Sequence, residues 1–119
     1  MANIIVVEDE PTIRETVCDI LSASHTCHAV RTAEEGLELL AASAFDLAIV
    51  DIKLPGMDGD EFLRRARAAL PGLPVILMSG GYGYDEAAYA EEGAFGYLLK
   101  PFRAEELESL VSHALGGGA

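Results

Sequence analysis

Positive charge is scarce in this chain. Lys and Arg total 8 against 20 Asp and Glu, a formal net charge of −12 over 119 residues. Neutralising nucleic-acid phosphates needs a basic face, so the balance argues against nucleic-acid binding by this domain. It favours attraction of cations or of basic partner surfaces. Long apolar runs are missing too. None approaches the roughly 18 residues of a membrane span. Met1 to Val7 has neither the basic start nor the cleavage site of a signal peptide. A soluble cytoplasmic protein with no membrane partner is expected. Cysteine is sparse: Cys18 and Cys27 lack CxxC spacing and fall in apolar elements. Reduced core thiols are expected there rather than a disulfide or a metal pair.

What is present suffices for one domain with a real core. Half of the residues are apolar, which argues against disorder. Strand-like and helix-like patterns alternate five times, and no other internal repeat is found. Ile4-Ile5-Val6-Val7 reads as a strand buried on both faces. Pro11 opens a helix in its first turn, with Ile13, Val17, Ile20 and Leu21 as its apolar stripe. His25 to Arg31 is a weaker strand, expected near an edge. Thr32 with Glu35 resembles a capping box, and the helix it starts is expected to bury Leu37, Leu40 and Ala41. Leu47-Ala48-Ile49-Val50 is a second doubly buried strand that ends at Asp51, followed by a Pro- and Gly-bearing loop, Ile52 to Gly59. Asp58 and Glu61 resemble a second capping pair, and Phe62, Leu63, Ala66 and Leu70 the buried face of the third helix. Pro71-Gly72 stops it. Pro74 to Ser79 is the fourth strand, and Gly80-Gly81-Tyr82-Gly83 a loop with unusual backbone freedom. The fourth helix, about Tyr84 to Glu92, has a thin, Ala-based stripe and should be the most mobile. Phe95 to Leu99 is the fifth strand, and Leu107, Leu110, Val111 and Ala114 mark the last helix. Gly116 to Ala119 is a frayed tail or the stub of a linker. Five βα units imply a parallel sheet with helices on both faces and right-handed crossovers. Pattern alone leaves the strand order open.

Polar residues stand at the carboxyl ends of four of these strands: Glu8-Asp9, Asp51, Ser79 and Lys100. In a parallel sheet they share the edge where open α/β folds place their ligands. If the first and third strands are neighbours, three acids crowd together. Two like charges about 5 Å apart at an effective dielectric of about 20 repel by roughly 3 kcal/mol. Raised pKa values are one relief; a hard divalent cation is another. Mg²⁺ takes oxygen ligands, and no His or Cys joins the cluster, which argues against zinc. Lys100 could pair with a carboxylate or with a phosphoryl group. A carboxylate, a divalent ion, a lysine and a hydroxyl make a plausible phosphoryl-acceptor site with Asp51 as nucleophile.

Val7-Glu8-Asp9-Glu10, Asp51 at the end of Leu47–Val50, Leu54-Pro55-Gly56-Met57-Asp58-Gly59, Met78-Ser79-Gly80 and Leu99-Lys100-Pro101-Phe102 occur in one order and cover essentially the whole chain. Together they resemble the response-regulator receiver domain, the phospho-acceptor half of two-component signalling. The resemblance implies a single flavodoxin-like (βα)5 domain over residues 1–119, doubly wound around a parallel five-stranded sheet of order 2-1-3-4-5. It implies that Asp51 accepts phosphate from a sensor histidine kinase, a phosphotransfer protein or a small phosphodonor. Asp9, Asp51 and the backbone carbonyl of Lys53 would ligate Mg²⁺, with Mn²⁺ as a substitute and Glu8 acting through water. Lys100 would contact the phosphoryl group, and the Lys100-Pro101 bond would be cis. Ser79 and Tyr97 would be the switch pair, changing a face made by the fourth helix, fifth strand and last helix for an unknown downstream protein. Such a domain is no conventional enzyme; it catalyses its own aspartyl phosphorylation and dephosphorylation. Homodimerisation through the same face is left open. No effector domain follows Leu115, which fits a stand-alone receiver or part of a longer protein.

Glu8 departs from the Asp common in the family, and Ser79 stands where Thr is also frequent. Lys53 and Gly81 flank the phosphate site at positions that affect the lifetime of the phosphorylated state in this family. Two other readings compete: a receiver-fold interaction module that does not use phosphorylation, and a haloacid-dehalogenase-like phosphatase. The latter wants an Asp two residues beyond the nucleophile, where this chain has Lys53. Plainer readings stand beside the sharp ones. Glu8 and Asp9 favour a helix N-terminus, and Tyr97 can be ordinary packing with a wet hydroxyl. Tyr82, Tyr84 and Tyr89 are either a partner patch or ordinary surface. His25, His28 and His113 share no spacing and read as structural or solvated. Glu34-Glu35, Glu91-Glu92 and Glu105-Glu106 read as solvated helix surface.

Overall fold

Strands that read as unbroken apolar runs must be covered on both sides, and that requirement builds the molecule. In a computed structural model, which describes residues 1–80 and 86–116, ten elements alternate. They are β1 (Asn3–Val7), α1 (Pro11–Leu21), β2 (Thr26–Val30), α2 (Ala33–Ala42), β3 (Leu47–Asp51), α3 (Gly59–Ala69), β4 (Val75–Ser79), α4 (Glu86–Glu91), β5 (Gly96–Leu99) and α5 (Ala104–Ala114). The sheet is wholly parallel, in the order β2-β1-β3-β4-β5. This is the architecture that the resemblance implied, and β2 lies at an edge, as expected from its weak pattern.

Side chains alternate across a strand, so the sheet divides the apolar residues into two cores. Ile5, Val7, Ala48, Val50, Val75 and Leu77 pack with Ala33 and Leu40 of α2 and Phe62, Leu63 and Ala66 of α3. Ile4, Val6, Leu47, Ile49, Ile76 and Met78 pack with Val17 and Leu21 of α1 and Leu107 and Val111 of α5. Tyr89 of α4 packs against the first core.

Thr32 and Asp58 each cap a helix start, but the Glu35 carboxylate meets the Thr32 hydroxyl rather than the backbone N–H of a capping box. The Glu35 N–H donates to Thr32 Oγ1 at 3.1 Å, and the Glu61 N–H to Asp58 Oδ1 at 2.9 Å. At α5, Glu106 is more than solvated surface: its Oε1 accepts from the Arg103 N–H at 2.9 Å, closing the helix start.

Three expectations need correction, and a fourth lies partly outside the described residues. Leu70 is 38% exposed, because α3 ends at Ala69 and the chain turns out there; Leu73 fills the position instead. Ala41 is exposed, because the inward stripe of α2 runs through Ala33, Gly36 and Leu40, with Leu37 half-buried. The fourth helix stops at Glu91; its expected start at Tyr84, with Gly81, Tyr82 and Gly83, lies outside the described residues, as do residues 117–119 of the tail. Cys18 and Cys27, expected as reduced thiols, are joined as a disulfide with Cα atoms 5.7 Å apart. The turn after α1 folds β2 back beside that helix, so residues far outside CxxC spacing meet.

Gly36 sets α2 close against Phe62 of α3 and Val7 of β1. A Cβ there would lie 2.9 Å from both the Phe62 ring and a Val7 methyl. Gly36→Ala would ordinarily favour a helix by about 1 kcal/mol. Here overpacking reverses the sign, and a net destabilisation of about 1–3 kcal/mol is expected by urea unfolding. A more stable variant would contradict the close α2–α3 approach.

Candidate functional site

Parallel pairing brings the polar strand ends to one edge. β1 lies beside β3 with Val7 opposite Val50, so Glu8 and Asp9 emerge next to Asp51. β4 lies on the other side of β3, and β5 beyond it, with Ser79 opposite Leu99. The Lys100 N–H donates to the Ser79 carbonyl at 2.8 Å, which holds the lysine at the same rim. Lys100-Pro101 is cis.

Carboxylate oxygens of Glu8, Asp9 and Asp51 all lie within 4.8 Å of one another. Asp9 is exposed; Asp51 is 7% exposed and Ser79 is 8%. Glu8 has no exposed surface at all. The Lys100 ammonium sits 2.7 Å from Glu8 Oε1 and 3.2 Å from Asp51 Oδ2, bridging the two acids. The other Glu8 oxygen, Oε2, accepts from the Glu10 N–H at 3.2 Å.

Burial is the main force on Glu8. It raises the pKa to about 7, aided by the nearby Asp51 charge and opposed by the Lys100 and Glu10 hydrogen bonds. For Lys100, burial alone would pull the pKa down; its bonds and charge contacts with Glu8 and Asp51 overcome this and hold it above the ordinary value.

Two supports escaped the sequence reading. Arg14 Nη1 donates to the Glu8 carbonyl at 3.0 Å and the Asp9 carbonyl at 3.4 Å, so α1 fixes the acidic turn it follows. Gly59 lies against the end of β3. A Cβ on it would collide with the Asp51 carbonyl and come within 2.7 Å of Ile52 Cα. Its N–H donates to the Ile52 carbonyl at 2.8 Å, tying the start of α3 to the loop after Asp51. Glycine at that position had a readable signal only in the Asp58-Gly59 pair.

The remaining candidates are dispersed. Lys53 is exposed in the loop after β3. Tyr97, opposite Leu77 on β5, faces the same side of the sheet as Ser79. It is half-buried against the first core, with its ring 6.0 Å from that of Tyr89. Tyr89 is thus packed in a pair; Tyr82, Tyr84 and Gly81 lie outside the described residues. His25 accepts the Ala2 N–H through Nδ1 at 3.2 Å, a structural use.

A donor set of carboxylate oxygens, with no imidazole or thiolate, suits a hard divalent ion such as Mg²⁺. Asp9 is open to solvent, and Asp51 faces it. Glu8 is turned toward Lys100 and Glu10, and each of its two oxygens accepts from one of them.

Comparison with known proteins gives a consistent result. The model of the response regulator receiver domain matches residues 4–112. The response regulator FleR of Pseudomonas aeruginosa is 44% identical over 118 residues, 97% of this chain and 25% of FleR. The DNA-binding transcriptional regulator NtrC of Escherichia coli is 39% identical over 112 residues, 92% of this chain and 24% of NtrC. The chain therefore spans about a quarter of the length of these relatives. Among solved structures, a response regulator receiver domain protein from Clostridium thermocellum superposes with a TM-score of 0.92 at 29% identity, covering 98% of this chain and 95% of that one. The receiver domain of NtrX from Brucella abortus gives 0.91 at 32% identity, covering 95% and 98%.

The Glu8 shift carries a pH dependence. Between the ordinary pKa of 4.5 and about 7 the folded state keeps a proton that the unfolded chain has lost. The stability tied to protonated Glu8 is complete below the ordinary pKa and is lost as pH rises through about 7, a fall of about 3 kcal/mol. Urea unfolding of metal-free protein in chelator should show this decline, and Glu8→Gln should flatten it. An unchanged slope in E8Q would assign the effect to another group.

Proposed function

The chain belongs to the response regulator receiver domain family, and on that premise we propose that it is a phosphorylatable receiver with Asp51 as acceptor. The observation that carries this reading is the meeting of Asp51 with Glu8, Asp9 and Lys100 at one strand edge. The phosphoryl donor is a phosphohistidine on a sensor histidine kinase or phosphotransfer protein, or a small phosphodonor. A carboxylate oxygen of Asp51 attacks phosphorus. The bond from phosphorus to the imidazole nitrogen breaks, its electron pair stays on that nitrogen, and the ring takes up a proton from solvent.

Asp9, Asp51 and the Lys53 backbone carbonyl would hold Mg²⁺ or Mn²⁺, with Glu8 acting through water. The ion supplies charge neutralisation for the phosphoryl oxygens. This chain's own residues do the rest. Asp9 and Glu8 hold the acidic edge in register, and Arg14 pins their backbone. Lys100, now shared between Glu8 and Asp51, trades its Asp51 contact for a phosphoryl oxygen. The Ser79 hydroxyl donates to a second one. Movement at Ser79 changes the packing of Tyr97 on the same side of the sheet. The face of α4, β5 and α5, where Leu99 is already 55% exposed, then presents a new shape to a downstream protein or to a second copy. Signalling of this kind takes place in the cytoplasm, and among the described residues no helix is long and apolar enough to cross a membrane.

Incubation with acetyl phosphate and Mg²⁺ should add one labile phosphoryl group by intact mass. The adduct should be missing without the ion and in Asp51→Asn. No adduct and no detectable Mg²⁺ binding in wild type would favour an interaction module that works without phosphorylation. Steady turnover of generic phosphomonoesters would instead favour a phosphatase. The exposed Lys53 ammonium lies close enough in sequence to reach the acyl phosphate, so Lys53→Ala should alter the dephosphorylation half-life; equal half-lives would end that role.

A further inference from the structure

One pair of nucleophilic side chains stands outside the acidic edge and has no part in phosphoryl transfer. Cys18 on α1 and Cys27 on β2 have Cα atoms 5.7 Å apart and are bonded, within the roughly 4.4–6.8 Å that a disulfide spans. Both are half-buried at the rim of the α1–α5 core, neither of them sealed within it. Exchange depends on access. β2 is one of the two outer strands, paired only with β1, and Thr26, His28 and Ala29 are exposed on it. An outer strand with few buried side chains opens most readily. The cysteine bond thus fastens to α1 a strand that has no fully buried side chain. It also reaches toward the acidic edge. Arg14, which holds the Glu8 and Asp9 carbonyls, stands one helical turn before Cys18, on the same side of α1.

We propose that Cys18 and Cys27 form a reversible dithiol–disulfide site that sets how firmly α1 and β2 are held, with a low-molecular-weight disulfide as oxidant. One cysteine thiolate attacks a sulfur of the small disulfide, forms a mixed disulfide and releases one small thiol. The second cysteine thiolate attacks the protein sulfur of that mixed bond, closes Cys18–Cys27 and releases the other small thiol. The protein gives up two protons and two electrons, and the oxidant gains them. Excess small thiol runs the exchange backwards.

The test uses the whole chain, equilibrated with glutathione disulfide or with dithiothreitol. The oxidised form should be monomeric, lighter by two hydrogen atoms and resistant to alkylation. Its Tm should exceed that of the reduced form by roughly 5–15 °C. Amide exchange in α1 and β2 should quicken on reduction, while α3 stays unchanged. Cys18→Ser and Cys27→Ser should each match the reduced wild type and ignore the redox buffer. Comparison of the two wild-type forms stands alone if either variant folds poorly. Thiols that still alkylate after oxidation, bonds between chains on a non-reducing gel, or equal Tm values in the two buffers would overturn the proposal.

Discussion

Lys100 stands 92 residues along the chain from Glu8, yet its ammonium lies 2.7 Å from a carboxyl with no exposed surface. A carboxylate buried alone costs several kcal/mol, and only a close, well-oriented cation offsets that cost. The pairing is possible only if β5 ends on the same edge as β1 and within a lysine's reach across β3 and β4. The strand order meets that condition, and the side chain touches Asp51 on its way. Sheet order, acidic edge and lysine are therefore one constraint. A different order would leave Glu8 buried without its cation.

The same geometry explains why the site is poised rather than relaxed. Three carboxyl groups crowd one edge, and two of them contact the Lys100 ammonium. Burial has already pushed one of the three toward its neutral form. An arrangement that favours bringing in positive charge is costly to the resting fold and useful to a binding edge. Backbone devices keep it from spreading: Arg14 grips the two carbonyls of the acidic turn, and Gly59 lets α3 press against the end of β3.

Much of this was legible in the chain. Unbroken runs such as Ile4–Val7 and Val75–Met78 can only be strands covered on both sides. Thr32 and Asp58 marked helix starts by local hydrogen bonding, which depends on few neighbours. The edge residues were legible as a set, because parallel strands all point their carboxyl ends one way. What escaped depends on how elements cross. Whether Leu70 or Leu73 turns inward is decided where α3 ends, and Ala41 turned outward by a rotation of α2 that its composition does not encode. The role of Gly36 follows from the position of Phe62, and the Cys18–Cys27 bond from the path of the turn between α1 and β2. Full burial of Glu8 was the deepest omission. An acid at a strand end looks solvated until the fold covers it.

Among the described residues the two cores share no side chain, since alternation along each strand sends every residue to one side or the other. The sheet is a partition as well as a scaffold. Substitutions among Phe62, Leu63 and Val75 are felt on one side, those among Val17, Leu107 and Ile76 on the other, and energies of such separated changes add. Heritable variation can therefore accumulate in one compartment without disturbing what the other has settled. A lineage built on this frame is free to rewrite the helices on one side while the acids at the rim, anchored to the partition itself, stay in place.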